Sequence, residues 1–463
     1  MIEYYHKYFK SSYKAKVSQL IKDIDGLMGY EGVQLQYSTK ESLPSQFKES
    51  LTDEDWNKVN SQYQTLFDNE KTLSLTLKKF INKKENYTSS EYTFIDTFSG
   101  CGGLSLGLKR VGFNPVLINE IEPKYLESYY FNHNLHLDNY HCGDIKDISS
   151  DTSLLNKKVD LVVGGPPCQG FSMANRQRLL DDPRNVLYKN FLELLSNVRP
   201  RFFVMENVKG MMNKSSEILD NFRNILGEDY SIDMVLLNAK NFGIPQNRER
   251  VFVIGSREQN APASQIIADV IKKSENCKKF KLADALGSLP QLKPKKVKNA
   301  RGIENNDIGY KFREYEYGSS EYLTFINSKT KINYLSNHTN RYNNVRDIEI
   351  FSRLPQGANS LHESIADIMP YSNRNHMFKD KYYKLNEREV SKTITSHMKF
   401  DCNMYIHPHQ ARGLSPREAA RVQTFPDDFV FMGSNNTWYA QIGNAVPVKL
   451  AEAIGKEIIK HLT

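Results

Sequence analysis

Residues 92–112 read YTFIDTFSGCGGLSLGLKRVG. The first six residues are β-branched and aromatic around one aspartate, which predicts a strand. Gly100, Gly102 and Gly103 follow, and Leu104 onward has helical spacing closed by Gly112. A strand that passes through glycine into a helix leaves helix N–H groups unpaired and lets the backbone approach a ligand closely. Taken alone, such a turn is as consistent with a plain connection as with a binding loop. The surrounding chain repeats the pattern. NPVLINEIE (114–122) reads as a strand, ESYYFNHN (127–134) as a helix, HCGDIKDI (141–148) as a strand end and turn, and KVDLVVGGPP (158–167) as a buried strand. VLYKNFLELLSNVRP (186–200) is a helix, RFFVMENV (201–208) a strand and RVFVIGSR (250–257) another. Strand and helix alternate at the spacing of βαβ units, which implies an α/β fold with a parallel sheet covered on both faces.

The alternation covers only part of the 463 residues. Residues 1–90 are rich in lysine and glutamate, with apolar spacings of three and four, and read as a helical extension without evident chemistry. Residues 257–400 are rich in Asn, Tyr, Lys and Ser with irregular periodicity, and read as a separate domain of short strands and loops. Order returns at LSPREAARVQTFPDDF (414–429), a capped amphipathic helix, and NAVPVKLAEAIGKEIIKHL (444–462) is a closing helix. The expected division is therefore 1–90, 91–256, 257–400 and 401–463, the last completing the unit begun at residue 91.

Bulk composition narrows the classes. No run approaches the roughly 18 apolar residues that span a bilayer, and the N-terminus has no apolar signal core, so a cytoplasmic protein without a membrane partner is expected. The five cysteines are odd in number and form no CxxC pair, which argues against a disulfide framework and a zinc ribbon; no metal is expected. Net charge is 62 − 54 = +8, and residues 257–400 carry 25 Lys and Arg against 16 Asp and Glu, so 25 − 16 = +9. That segment holds the whole excess, in a form that fits either a solvated lysine-rich surface or a polyanion-binding one.

Three consecutive strand ends bear on a nucleotide-like ligand. The glycines follow the first strand, Glu120 ends the second, about 20 residues on, where an acid can take ribose hydroxyls. Asp144 ends the third, where a carboxylate can accept from an adenine amino group. The glycines are not in the GxGxxG pattern and no phosphate-binding lysine follows. A ligand with adenosine but no pyrophosphate, such as S-adenosylmethionine, suits this better than NAD.

The fourth strand runs into GGPPCQGFS (164–172). Pro166 and Pro167 fix backbone angles and hold Cys168 at a strand C-terminus, the ligand edge of an open α/β sheet. A thiolate there can act as a nucleophile, although a lone cysteine is more often buried and inert. Glu206 in MENV ends the next strand on the same edge, where a carboxyl beside a thiolate favours its neutral form and can donate a proton to a ring nitrogen. In QNRER (246–250), Arg248 and Arg250 lie two apart on an extended segment, facing one side, and can bind a carbonyl oxygen or a phosphate.

Together these segments resemble the DNA (cytosine-5) methyltransferase family of the prokaryotic restriction-modification type. The resemblance covers about 91–255 and 405–463 in the family's motif order. DTFSGCGGLSLGL is similar to its first cofactor motif, PPCQGFS to its nucleophile motif, ENV and QNRER to the next two catalytic motifs, and RGLSPREAARVQTFPD and QIGNAVP to its two C-terminal motifs. The resemblance implies a Rossmann-like S-adenosylmethionine-dependent methyltransferase sheet, a smaller, irregular β-rich target-recognition domain at 257–400, and the N-terminal helical extension outside the family core. It implies that Cys168 attacks C6 of a flipped-out cytosine, that Glu206 contacts N3 and the exocyclic amine, and that Arg250 holds O2 with Arg248 supporting the site. It places S-adenosyl-L-methionine on Phe98, Gly100, Gly102, Leu104, Glu120, Ile121, Asp144, Pro166, Asn444 and Val446. Ile121 stands where family members often carry a larger side chain against adenine. The resemblance puts DNA on Gln169, Ser172 and Gln246, and likens SMANRQRLLDDPRN (172–185) to the family's mobile loop.

Double-stranded DNA is the implied partner, in a setting that admits a cognate restriction endonuclease on the same site, and a monomer is expected. An RNA cytosine-5 methyltransferase of the tRNA type shares the nucleophile motif; the size and basicity of 257–400 favour DNA. A catalytically dead DNA-binding regulator is disfavoured by intact Cys168, Glu206 and Arg250, and a nicotinamide-dependent oxidoreductase by the glycine pattern.

Overall fold

The computed structural model describes residues 91–133, 135, 139–150, 158–167, 185–297, 304–328, 332–370 and 381–462. The expected N-terminal extension, Cys168, Gln169, Ser172 and the loop that follows them lie outside the described residues.

Strands β1 (Thr93–Thr97), β2 (Asn114–Glu120), β3 (Tyr140–Cys142), β4 (Leu161–Gly164), β5 (Phe202–Val208), β6 (Ser231–Asn238) and β8 (Glu249–Ser256) form one sheet in the order β3-β2-β1-β4-β5-β8-β6, and the two-residue β7 (Gln246–Asn247) lies just before β8. Helices α1 (Gly103–Arg110), α2 (Pro123–His133), α3 (Lys146–Ser149), α4 (Val186–Val198) and α5 (Ser215–Leu226) connect the strands. Successive side chains on a strand point to opposite faces. Phe94, Leu161, Val163, Val204, Phe252 and Ile254 therefore build the core on one face, and Ile95, Val162, Phe203, Met205, Val251 and Val253 the core on the other. Both faces being covered explains why the strands read as continuous apolar runs rather than alternating ones.

The sheet is not wholly parallel, as the βαβ spacing implies. β8 pairs antiparallel with both β5 and β6. Only residues 239–248 separate β6 from β8, too few for the crossover that parallel neighbours need, so the chain doubles back.

The chain also stays on the sheet beyond residue 256. Helix α6 (Ala263–Glu275) buries Ala263, Ile266, Ile267 and Val270 in the first core, beside α12 (Val448–Ile459). Helix α12 returns from the far end of the sequence to lie on α1. A Cβ on Gly107 would stand 2.6 Å from Ala451 Cβ, so the two helices touch through small residues.

Between α6 and residue 400 the described chain holds α7 (Leu282–Leu286), α8 (Glu321–Asn327), α9 (Val345–Arg353), an antiparallel pair β9 (Gly309–Glu314) and β10 (Tyr334–Thr339), and the two-residue β11 (Ser391–Lys392), which pairs with β7. Helices α7 and α8 pack against α10 (Pro416–Val422) and α11 (Asn435–Asn444) in a third core.

Helix α10 differs from its amphipathic expectation, because all seven of its residues are buried. Its cap is the expected one: Ser415 Oγ accepts from Glu418 N and Glu418 Oε2 accepts from Ser415 N. Its charged side need not face water, because each charged group is hydrogen-bonded inside. Arg412 forks onto Glu418 at 2.6 and 2.7 Å, Arg421 onto Asp427 at 2.7 and 3.0 Å, and Arg417 donates to the carbonyls of Ser336, Pro426 and Phe429.

Candidate functional site

Chain order reverses between β1 and β4: α1 carries the chain from β1 to β2 on one side, and β4 lies on the other. Ligands of open α/β sheets bind in the crevice beyond the carboxyl ends of two such strands. The loop after β1 enters it with Phe98, Gly100 and Gly102 all left-handed, at φ 55, 57 and 92. A Cβ on Gly100 would meet nothing within 4 Å, so backbone angle rather than crowding calls for glycine, and the space beside it is open to a ligand. Gly102 is different: its Cβ would stand 2.4 Å from His133 Nε2, because the loop rests on the stacked rings of Tyr129 and His133.

Glu120, at the end of β2, accepts from Gly100 N at 2.8 Å and from Glu122 N at 2.9 Å. Burial pushes its carboxyl above the usual range, against the pull of those two donors. Its neighbour Ile121 is 63 % exposed, an apolar side chain held over the open edge. Asp144, past β3, is exposed, and its Oδ1 accepts from Lys146 N. From the far end of the chain, Val446 O stands 2.8 Å and Ala445 Cβ 3.1 Å from where a Cβ of Gly103 would lie. This brings the exposed Asn444 beside the same loop, while Leu104 and Val446 face the first core. An acceptor for hydroxyl groups, an open backbone turn and an exposed apolar side chain suit an adenosine-bearing ligand.

The second wall comes from β4 and β5, paired in parallel through Gly164 and Met205. A Cβ on Gly165 would stand 3.1 Å from Glu206 Oε2, so the Gly165–Pro167 turn lies against that carboxylate. Pro166 O accepts from Asn207 Nδ2 at 3.1 Å, which pins the turn. Glu206 Oε1 meets Arg250 Nε at 2.9 Å, and the two side chains are 15 % and 16 % exposed. Arg250 also donates to the Glu249 carbonyl. A carboxyl and a guanidinium side by side, mostly buried at the sheet edge, can read adjacent acceptor and donor atoms on the edge of a heteroaromatic ring.

Arg248 and Arg250 do not share partners. Arg248 is 1 % exposed, and its guanidinium donates to the carbonyls of Ile394, Gly443 and Ala445. Burial and the nearby Arg250 pull its pKa down to about 9. Gln246, expected on DNA, is wholly buried. Its Nε2 donates to Gln423 Oε1 at 2.7 Å and its Oε1 accepts from Ile394 N at 2.8 Å, so its amide is engaged by the protein interior and not by a groove surface.

Two residues of the site carry no obvious sequence signal. Asn207 stands inside the ENV segment, yet its grip on Pro166 O spans 41 residues. Asp96, under the glycine loop, accepts from Ser105 Oγ at 2.5 Å, and burial pushes its carboxyl up to about 7, with Glu120 adding to the shift. Of the four described cysteines Cys101, Cys142 and Cys402 are buried and Cys277 is half-buried; burial raises the Cys101 and Cys402 thiols, which keeps them unreactive.

Residues 92–460 match the family described as C-5 cytosine-specific DNA methylase. The chain is 33 % identical over 399 residues to the Type II methyltransferase M1.HphI of Haemophilus parahaemolyticus, covering 84 % of this chain and 91 % of that protein. It is 31 % identical over 388 residues to the Type II methyltransferase M.DdeI of Desulfomicrobium norvegicum, covering 79 % and 88 %. Among solved structures it resembles that of an E. coli prophage-encoded protein described as a DNA modification methyltransferase, with TM-score 0.62, 26 % identity, and coverage of 80 % and 99 %.

Proposed function

The chain belongs to the C-5 cytosine-specific DNA methylase family and is a DNA (cytosine-5) methyltransferase, and we propose that it methylates a flipped-out cytosine through a covalent bond from Cys168 to C6. The observation that carries the reading is the Glu206–Arg250 pair at 2.9 Å, set beside the turn that leads to Cys168 and on the same sheet edge as the Gly100–Glu120–Ile121 cradle.

The reacting base must leave the helical stack to reach this edge, at a cost of a few kcal/mol. Attack of the Cys168 thiolate on C6 moves electron density toward C5, N3 and O2. Arg250 bears on O2. Glu206 contacts N3 and the exocyclic amine, where a positioned proton donor contributes about 10²–10⁴ in rate. S-adenosylmethionine, when bound, supplies the electrophilic methyl group that C5 takes up. Loss of the C5 proton then expels the Cys168 sulfur and restores the aromatic ring.

Gly100 and Gly102 let the backbone close on that cofactor, with Phe98 and Pro166 flanking it. Glu120 takes the ribose hydroxyls, Ile121 covers adenine, Asp144 accepts from its amino group, and Asn444 closes the far side with Leu104 and Val446 packed behind it in the first core. Arg248 acts behind this site. Gln169 and Ser172 contact DNA. Residues 91–256 and 401–463, together with α6, form the catalytic unit, and the remainder of 257–400 recognises the target. The Type II methyltransferases among its relatives support a modification role in a restriction-modification system; in this reading the chain acts in the cytoplasm as a monomer on double-stranded DNA, at a site a cognate endonuclease would share. Among the described residues no helix is long and apolar enough to cross a membrane.

The test is methylation of mixed-sequence duplex DNA with S-adenosylmethionine, read by bisulfite sequencing. Protected cytosines in one short context are expected, and Cys168→Ala abolishes them. Full turnover by Cys168→Ala, or methylation of tRNA in place of duplex, overturns the reading.

A further inference from the structure

Residues 391–396 leave the 257–400 segment and cross behind the catalytic site. Ser391 and Lys392 pair with Gln246 and Asn247, and Thr393 Oγ1 donates to Asn247 O at 2.7 Å. At Ile394 the crossing strap meets two separate bridges. In the first, Arg248 donates to Ile394 O at 2.7 Å and, with its other terminal nitrogen, to Ala445 O at 3.1 Å and Gly443 O at 3.3 Å. In the second, Ile394 N donates to Gln246, Gln246 donates to Gln423, and Gln423 donates to Ile442 O at 2.7 Å and Ala445 O at 3.1 Å. All three side chains are at most 1 % exposed. One residue of the strap is thus tied through both its N–H and its C=O to one turn, residues 442–445.

Each end of this double bridge leads to a site. On one side the turn abuts the cofactor loop, where Val446 O stands 2.8 Å from a Cβ position on Gly103. On the other, the strap continues into a 3₁₀ turn, Ser396–Lys399. Arg341, two residues beyond β10, donates to Met398 O at 2.6 Å and Phe400 O at 2.9 Å. The strap and α11 are in close contact: a Cβ on Gly443 would stand 2.1 Å from Ser396 N. A buried cation without a carboxylate partner is costly, and here the carbonyl end of α11 offsets it. A core built for stability alone would favour an apolar side chain at this point. A guanidinium fork and an amide relay instead fix the position of the strap relative to the turn, because each donor demands its acceptor within a few tenths of an ångström.

We propose that Gln246, Arg248 and Gln423 are positioning residues that couple the recognition segment to the cofactor turn, so that DNA engaged by residues 257–400 tightens the hold on S-adenosylmethionine. The inference rests on the cofactor assignment above. Coupling of this kind is reciprocal: the cofactor tightens DNA by the same factor.

The experiment uses the full chain and measures binding of S-adenosylhomocysteine by calorimetry, with and without unmethylated bacteriophage λ DNA. Wild-type protein is expected to bind S-adenosylhomocysteine at least about fivefold more tightly with DNA present, the low end of ordinary coupling. Arg248→Lys retains the charge but cannot span both segments, and Gln423→Met removes the relay while conserving volume. In both, the ratio is expected to fall to within about twofold of unity, whatever the change in binding without DNA. A purely structural role would weaken both measurements in parallel and leave the ratio unchanged, and that result overturns the proposal, as does a wild-type ratio of one. Gln423→Met keeps the test open should Arg248→Lys fail to fold. If wild-type protein binds no S-adenosylhomocysteine at all, the cofactor assignment falls first and the coupling with it.

Discussion

Acid should unfold this protein through two histidines that the fold keeps neutral. His338, on β10, is buried against the N-terminal cap of α10, with Nδ1 2.9 Å from Ser415 Oγ and Nε2 2.9 Å from the Pro290 carbonyl. The carbonyl can only accept, so Nε2 carries the proton and Nδ1 accepts from the serine hydroxyl. Burial pushes its pKa down from 6.5 to about 4, opposed by Glu418 and assisted by Arg412 and Arg421. His407, whose Nδ1 accepts from His409 N at 3.1 Å, is pushed down to about 3 by burial, again against Glu418. Both folded values lie below the unfolded one, so the unfolded chain binds protons first as pH falls. The stability each neutral ring confers is complete above pH 6.5 and is lost on acidification toward pH 4. At about pH 5.5, one unit under the unfolded value, each histidine costs about 1.4 kcal/mol, and the pair about 3 kcal/mol, relative to pH 7.5. That figure depends only on the folded values lying well below 5.5. Urea unfolding of wild type and His338→Gln at the two pH values isolates it, because Asp96, with its carboxyl raised to about 7, acts in the opposite sense in both proteins. His338→Gln, which removes one titrating ring, should shrink the loss by about 1.4 kcal/mol. An unchanged pH dependence in His338→Gln would show that the ring is not held neutral and would refute the reasoning.

Three further outcomes follow from the geometry. Gly107→Ala improves helix propensity by about 1 kcal/mol, but its Cβ would stand 2.6 Å from both Ala451 Cβ and Val448 O, so crowding wins and thermal unfolding should show a net loss of about 1–2 kcal/mol. Asp427→Ala strands the Arg421 guanidinium in a fully buried site and should cost about 3–5 kcal/mol by chemical denaturation. Gly100→Ala and Gly102→Ala both place alanine at positive φ, yet only Gly102 also meets His133, at 2.4 Å; differential scanning should show a much larger drop in melting temperature for Gly102→Ala, while both lose stabilisation by S-adenosylhomocysteine.

Most of the sheet and the two walls of the site were readable from the chain. β1, the glycine turn and α1 are contiguous, so composition and spacing describe them, and Glu120, Glu206 and Arg250 stand at strand ends that βαβ periodicity locates. The direction of β8 was less legible, since a strand looks alike run either way and the short link from β6 decides it. Helix α10 misled for a related reason. Its charges imply a wet face, but their partners, Asp427 and the Ser336 and Phe429 carbonyls, lie in other segments and allow every one of its residues to be buried.

By itself the sequence determined what is local: strands and helices by period, a left-handed turn by glycine, a stiff turn by two prolines, and the chemical kinds of group presented at one sheet edge. Tertiary structure decided which polar side chains face that edge and which face inward. Gln246, Arg248 and Arg250 lie within five residues of one another, yet Arg250 meets Glu206 in the crevice, while Gln246 and Arg248 reach Gln423, Ile394 and Gly443, more than 140 residues away. No local pattern specifies such a partner, because a hydrogen bond depends on the separation of two atoms in space, and only the packed sheet brings these within 3.3 Å.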